Sequence, residues 1–428
     1  MRKPKGLYSS GIYTIGMIPT KDIHDYSAKH KAALKQVDKS TISRKNKKLI
    51  LDFDRACFLE GLGKPRRIKL VSSLLMLARK YLKKDFDEAT GKDIKETVLK
   101  IESREDYSVW TKQGYRAILK KFYKWLKYGD NYRQRNEYPK IVSWINTNIK
   151  KKDQPKVQAS DILTEKEIKR LIDAAEHPRD KAFISMLYEL GARIGEIGSL
   201  QIKDVTRDKY SYIIDLNGKT GHRTPRIVMS DPYLTSWLNA HPLKDNPQSP
   251  LWVMSGDRNK NERMRYGTFR ALILRLRKKG KIKKRLYHHL FRHTRVTHLL
   301  INRQISEAQA KVYFGWVPSS KMLSEYSHLI SSDVNDTILE IHGIKKTKEK
   351  ESILRPKQCQ SCGTINSKDA LFCQKCSKVL DVKTAIELDE KRKSSDEIIT
   401  ALAKNPKSLK KLAEILSELG LAKKLMEI

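Results

Sequence analysis

From about Lys45 to Lys151, apolar residues recur every three or four positions, the spacing of one face of an α-helix. Leu49, Ile50, Phe53, Ala56, Cys57 and Leu59 form one such run, and Val71, Leu74, Leu75, Leu77 and Ala78 a second. Tyr115, Ile118, Leu119, Phe122, Trp125 and Leu126 form a third, bracketed by Lys120, Lys121, Lys124 and Lys127. Lysines on a helix are usually just solvated; here an aromatic stripe backed by cations suggests a helical clamp for a polyanion. Lys150-Lys151-Lys152-Asp153-Gln154-Pro155 has the composition of a linker. Beyond it, Thr164 and Glu167 carry the spacing of a capping box and predict a new helix start. Helical spacing then runs to about His342 with one interruption. There Tyr210 to Leu216 and Pro225 to Met229, short β-branched or aromatic runs, flank Asn217-Gly218-Lys219-Thr220-Gly221, which predicts a hairpin turn. Residues 383–428 return to helix formers, with Ile398, Leu402, Leu409, Leu412, Ile415, Leu416 and Leu419 on an apolar face. The expected fold is mainly α with a small β-sheet. The expected divisions are a basic N-terminal arm (1–40, mobile or forming a first short helix), a helical domain (41–152), a mixed α/β domain (160–345), a cysteine module (355–380) and a helical tail (383–428).

Charge narrows the partner. The 428 residues carry 88 Lys plus Arg against 49 Asp plus Glu, a net +39. So large an excess repels itself in a compact chain unless it meets a polyanion, and nucleic acid is the usual one. No stretch approaches the roughly 18 apolar residues of a membrane span. Met1-Arg2-Lys3-Pro4-Lys5 lacks a following apolar segment, so no signal peptide is expected. The expected setting is cytoplasmic and nucleoid-associated.

The candidate chemistry lies in basic residues. Phosphodiester cleavage by a protein hydroxyl requires a nucleophile, charge neutralisation at the non-bridging oxygens and a proton for the departing oxygen. Guanidinium forks match phosphate geometry and stay charged. Arg193 follows an apolar helix (Phe183, Met186, Leu187, Leu190) that breaks at Gly191, with Glu196 three residues on; such an Arg–Glu pair can also be purely structural. His289 and Arg292, three apart, share a helix face. Lys219 sits at the predicted hairpin turn, where a lysine is ordinarily solvated; Arg223 and Arg226 beyond it are expected to contact the phosphate backbone. The dense run from Arg275 to Arg285 is expected to track phosphates as well. Tyr326 lies in Leu323-Ser324-Glu325-Tyr326-Ser327-His328-Leu329, after Phe314-Gly315-Trp316. A phenol titrates near 10, so it attacks only when flanking cations favour the phenolate. Tyr313, within Ala310-Lys311-Val312-Tyr313-Phe314, is better placed as core.

In order and spacing these residues resemble the tyrosine recombinase (phage integrase) family, over about residues 45–342, with specific motifs from Arg193 onward. The resemblance implies a helical core-binding domain and a catalytic domain forming a C-shaped clamp on duplex DNA. It implies Tyr326 as nucleophile, giving a 3′-phosphotyrosyl link, and Lys219 as acid toward the 5′ oxygen. Arg193 and Arg292 would bind the phosphate, His289 would transfer a proton, and Trp316 would donate a hydrogen bond from its indole. No ATP or catalytic metal is implied, and four protomers assemble on two crossover sites. Trp316 stands where many relatives have histidine and others tryptophan, and His288 where many have proline. The slightly long Trp316–Tyr326 spacing looks like the archaeal integrase pattern. The leading expectation is the integrase of an archaeal virus, plasmid or other mobile element. The alternatives are a Xer-like resolvase of chromosome or plasmid dimers, and a DNA-binding regulator on the same scaffold without turnover.

Four of the five cysteines form two pairs, Cys359-x2-Cys362 and Cys373-x2-Cys376. This spacing fits a tetrahedral, structural Zn²⁺ of ribbon type, with no open position for catalysis. A module this short has too little core to fold without the metal. Cys57, on an apolar helix face, is expected to be buried.

Overall fold

The computed structural model describes residues 22–150, 153, 158–218, 221–301, 305–320, 322, 342 and 352–418. The chain divides into two units, residues 1–158 with 263–267, and residues 159–262 with 268–428.

In the first unit, helix α1 (Tyr26–Asp38) starts at Asp25, whose carboxylate accepts from the Ala28 N–H at 3.2 Å. It is followed by α2 (Arg44–Leu59), α3 (Lys64–Met76), α4 (Gly91–Glu102), α5 (Val109–Tyr128) and the single turn α6 (Lys140–Ser143). The predicted apolar runs fall on α2, on α3 with its π-helical extension, and on α5. Ile50, Phe53, Val71, Leu74, Ile118, Leu119 and Phe122 are almost wholly buried. Phe122 sits at the centre, its ring centroid 5.2 Å from that of Phe53 and 4.8 Å from that of Phe86. Leu59 departs from the expected stripe and is 81% exposed, because α2 ends there. Residues 22–40 are a structural part of this unit: α1 buries Ala33 and Val37 in the same core.

The lysines of α5 are engaged within the unit. Lys120 donates to the Ile145 carbonyl (3.0 Å), Lys124 to the Arg135 carbonyl (2.5 Å), and Lys121 to Glu60 (3.1 Å). Beneath α2 and α3 lies a buried polar cluster. Asp54 accepts from His30 Nε2 at 3.1 Å and from Arg67 Nε at 2.9 Å.

The second unit opens with α7 (Glu165–Asp173), where the expected capping box is present: Thr164 Oγ1 accepts from the Glu167 N–H at 3.2 Å and Glu167 accepts from the Thr164 N–H at 2.8 Å. Helix α8 (Pro178–Leu190) is buried all round from Ala182 to Leu190, which marks it as the domain's central helix. After the short α9 (Ile194–Gly198) come β1 (Val205–Arg207), β2 (Tyr212–Ile214), β3 (Leu216–Gly218), β4 (Gly221–Arg223) and β5 (Arg226–Ile227). Strands β1, β2 and β5 form an antiparallel sheet in that order, while β3 and β4 form the predicted hairpin, with Leu216 opposite Arg223. Helices α10 (Asp231–Asn239), α11 (Tyr266–Lys279), α12 (His288–Ile301) and α13 (Glu307–Phe314) complete the domain, α8 packing on α7, α10 and α12.

Glu189 ties several of these elements together. Its carboxylate accepts from the N–H groups of Val228, Met229 and Ser230 at 2.7–2.9 Å, and its main-chain carbonyl accepts from Arg295 and from the Tyr313 hydroxyl. The cysteine module, with β6 (Lys357–Gln358) paired to β7 (Ile365–Asn366), lies in the same unit. Glu165 accepts from the Ser352 hydroxyl and the Ile353 N–H, and Lys169 pairs with Asp369 at 2.6 Å. Helices α14 (Val382–Ala403) and α15 (Pro406–Glu418) pack on each other and leave Ile386, Ile398 and Ile415 exposed. Among the described residues no helix is long and apolar enough to cross a membrane.

Candidate active site

Helix α8 stops at Gly191, whose φ of +51° lies in the left-handed region. A Cβ there would also stand 2.7 Å from Phe314 Cε1, so glycine alone satisfies both backbone and packing. The turn places Arg193 at the N-cap of α9, its side chain about one-third exposed. Glu196 holds it twice: one carboxylate oxygen accepts from Arg193 Nη1 at 2.8 Å and the other from the Arg193 N–H at 3.1 Å. The second oxygen also accepts from Arg223 Nη2 at 2.7 Å. Burial alone would push the Glu196 carboxyl up; Arg223 and then Arg193 outweigh it and hold it below the usual glutamate range. Gly218 packs on this carboxylate so closely that a Cβ would lie 2.4 Å from Glu196 Oε1. The β3–β4 hairpin is thereby seated against the support of Arg193.

Helix α12 presents the second group. Arg292 is 1% exposed. It donates to the Gly191 carbonyl from Nη1 (2.9 Å) and to the Phe314 carbonyl from Nη2 (2.7 Å). Its guanidinium carbon lies 5.3 Å from the Phe314 ring centroid and 5.4 Å from that of Trp316. His289 keeps an exposed surface, yet loss of solvation within the site, then His293, Arg292 and Arg193, push it down to about 4, so the imidazole is neutral at neutral pH. Trp316, buried, follows α13 immediately after its Gly315 cap. Arg193, the His289–Arg292 pair and Trp316, from three separate stretches of sequence, thus converge. Lys219 and Tyr326 lie outside the described residues; β3 and β4 flank Lys219 on either side.

Several expectations for other cations change. Arg223 is no exposed phosphate contact: its side chain is 8% exposed and paired with Glu196. Its burial follows from the hairpin register, which sets it opposite the buried Leu216. Arg226 forms a two-pronged ion pair with Asp208. In the run from Arg275 to Arg285, Arg275 binds Asp180, Arg277 the Ile282 and Lys283 carbonyls, Lys279 Glu176, and Lys284 Glu167 and the Ile162 carbonyl. These cations make bonds within the domain, several of them on its exposed surface. Tyr313 donates to the Glu189 carbonyl and its phenol is pushed up to about 12 by burial, which fits a packing role.

The cysteine sulfurs form a separate cluster. Cys359, Cys362, Cys373 and Cys376 place their Sγ atoms within 4.8 Å of one another, with two pairs at 3.6 Å. Four thiolates about 2.3 Å from one Zn²⁺ would stand roughly 3.8 Å apart, so the donor set fits a tetrahedral ion. The Thr364 hydroxyl, then the Thr364 N–H, pull the Cys362 thiol down to about 6.

The phage integrase family profile matches residues 161–333. Over 158 residues the chain is 28% identical to the tyrosine recombinase XerA of Pyrococcus horikoshii, covering 36% of this chain and 54% of that protein. It is 27% identical over 184 residues to transposase A from transposon Tn554 of Staphylococcus aureus, covering 41% and 50%. The chain thus spans about half the length of the curated relatives it matches. A solved lambda integrase dimer bound to a COC′ core site is similar at a TM-score of 0.50 and 15% identity, covering 75% of this chain and 83% of that one. That likeness shows the fold.

Proposed function

We propose, from the premise that this chain belongs to the phage integrase family through residues 161–333, that it is a site-specific DNA recombinase working through a 3′-phosphotyrosyl link. The convergence of two arginines, a neutral histidine and a buried tryptophan carries this reading, because it supplies what an attacked phosphodiester requires. Arg193 and Arg292 neutralise the non-bridging oxygens while Trp316 donates from its indole nitrogen. The Tyr326 oxygen bonds to phosphorus as the bond to the 5′ oxygen breaks, and Lys219 protonates the leaving oxygen. His289, neutral by virtue of its surroundings, accepts the phenolic proton. The link conserves the phosphoester, so rejoining requires no ATP.

Double-stranded DNA is the partner, and four protomers act on two crossover sites. The four cysteines hold a structural Zn²⁺ whose filled shell keeps it out of the chemistry. The integrase of a mobile element, archaeal in type, is the biological setting favoured here. The added cysteine module and the likeness to a protein named as a transposon's transposase support the mobile-element part of this reading.

The test uses nicked duplexes with a randomised core, from which covalent protein–DNA adducts are recovered. The wild type should yield adducts on a defined core sequence, and Tyr326→Phe none. Adducts formed by Tyr326→Phe would remove the nucleophile assignment; a wild type that selects no core would favour a DNA-binding regulator.

A further inference from the structure

Arg223 stands beside the site, buried and only partly paired. Its side chain is 8% exposed, yet only Nη2 is paired, with Glu196 at 2.7 Å. Nε and Nη1 are buried and find no hydrogen-bond partner among the described residues. Nη1 lies against the turn before Trp316, where a Cβ on Gly315 would stand 2.8 Å from it. A buried guanidinium with idle N–H groups is costly unless something in the site calls for its charge.

Glu196 supplies the reason. As the support of Arg193, it stands 2.8 Å from the same guanidinium that must meet the phosphate. A buried carboxylate so close would cancel much of that cation's field. A third guanidinium on the carboxylate's other oxygen offsets this. Three arginines and one glutamate leave two positive charges, matching the two negative charges of a five-coordinate phosphorus. We propose that Arg223 is a positioning residue that neutralises Glu196, so that Glu196 can orient Arg193 without drawing its charge away from the phosphate. This inference rests on the recombinase reading and adds a residue to its machinery.

The experiment uses the full-length protein and the nicked duplex that the wild type selects. Single-turnover adduct formation at saturating DNA is measured for Arg223→Met, Arg223→Lys and Glu196→Gln/Arg223→Met, with duplex affinity and thermal melting alongside. Arg223→Met should slow cleavage by about 10²-fold, the scale of losing one preorganised charge contact, with affinity for the duplex unchanged. Arg223→Lys should recover part of the rate. The double variant removes both charges and should cleave at least tenfold faster than Arg223→Met. That gain is unavailable to a residue acting through packing alone, since a second buried substitution would only add damage. Wild-type rate in Arg223→Met, no recovery with lysine, or a double variant no faster than the single one overturns the proposal. A wild type that forms no adduct on any core instead overturns the recombinase reading itself.

Discussion

Each unit of this protein gathers a histidine and arginine side chains around a buried carboxylate, and the two clusters end in different electrostatic states. In the first unit Asp54 faces both His30 and Arg67, at 3.1 and 2.9 Å, and the group closes on itself. In the second, Glu196 is shared by Arg193 and Arg223, Arg292 is held by carbonyls, and His289 is held neutral by loss of solvation and then by the groups around it. The first cluster is satisfied from within. The second retains positive charge in a buried place, which is tolerable where an anion is to arrive. Unbalanced charge, more than residue type, separates the candidate site from ordinary core.

The largest effect that could break this comparison is kinetic. Arg292→Ala should reduce covalent adduct formation by about 10³-fold, as loss of a preorganised oxyanion contact does. Asp54→Ala should leave the rate per folded molecule unchanged, and equal losses in both variants would erase the distinction. The same Asp54→Ala variant should lower unfolding stability by about 3–5 kcal/mol in urea titration, because it strands the buried Arg67 charge. A third cluster, the cysteine sulfurs, joins four like groups and, on the proposed zinc reading, should be closed only by an ion. A strong chelator should therefore open residues 352–380 to proteolysis while the first unit's melting is unaffected. Protection unchanged by chelation, with no zinc detected in the purified protein, would remove the metal.

The smallest effect concerns pH. His289 titrates near 4 in the folded chain against 6.5 as a free side chain. Between those values the unfolded state binds more protons, so stability falls as pH is lowered through that window. His177, His241 and His298, also held low with burial as the first cause, act in the same direction. His289→Gln should make the fall shallower in melting measured from pH 7 to pH 4.5. An unchanged slope would mean that His289 is not held neutral.

Local signals were legible in the sequence. The runs on α2, α3 and α5, the Thr164–Glu167 capping box and the hairpin around Lys219 follow from spacing alone. So does the common face of His289 and Arg292, because three residues nearly complete one helical turn. What spacing could not show was which cations were already spoken for. Lys120 and Lys124 look like a freely solvated stripe, yet tertiary structure brings the carbonyls of Ile145 and Arg135 to them. Arg223 resembles any strand arginine; its burial depends on the hairpin register together with the approach of Glu196 from a separate helix. Helix α1 was half-concealed because Ala33 and Val37 are few among lysines, yet they suffice to dock it.

Glu189 has a consequence for the rhythm of the domain's internal openings. One carboxylate closes three successive amides, Val228, Met229 and Ser230, at the start of α10. Those protons share a single latch, so their exchange with solvent deuterium should report one common opening free energy, as a group. The same residue's carbonyl receives Arg295 and Tyr313, so if α8 leaves α12 and α13 in the same event, the amides at the head of α10 should lose protection together with it.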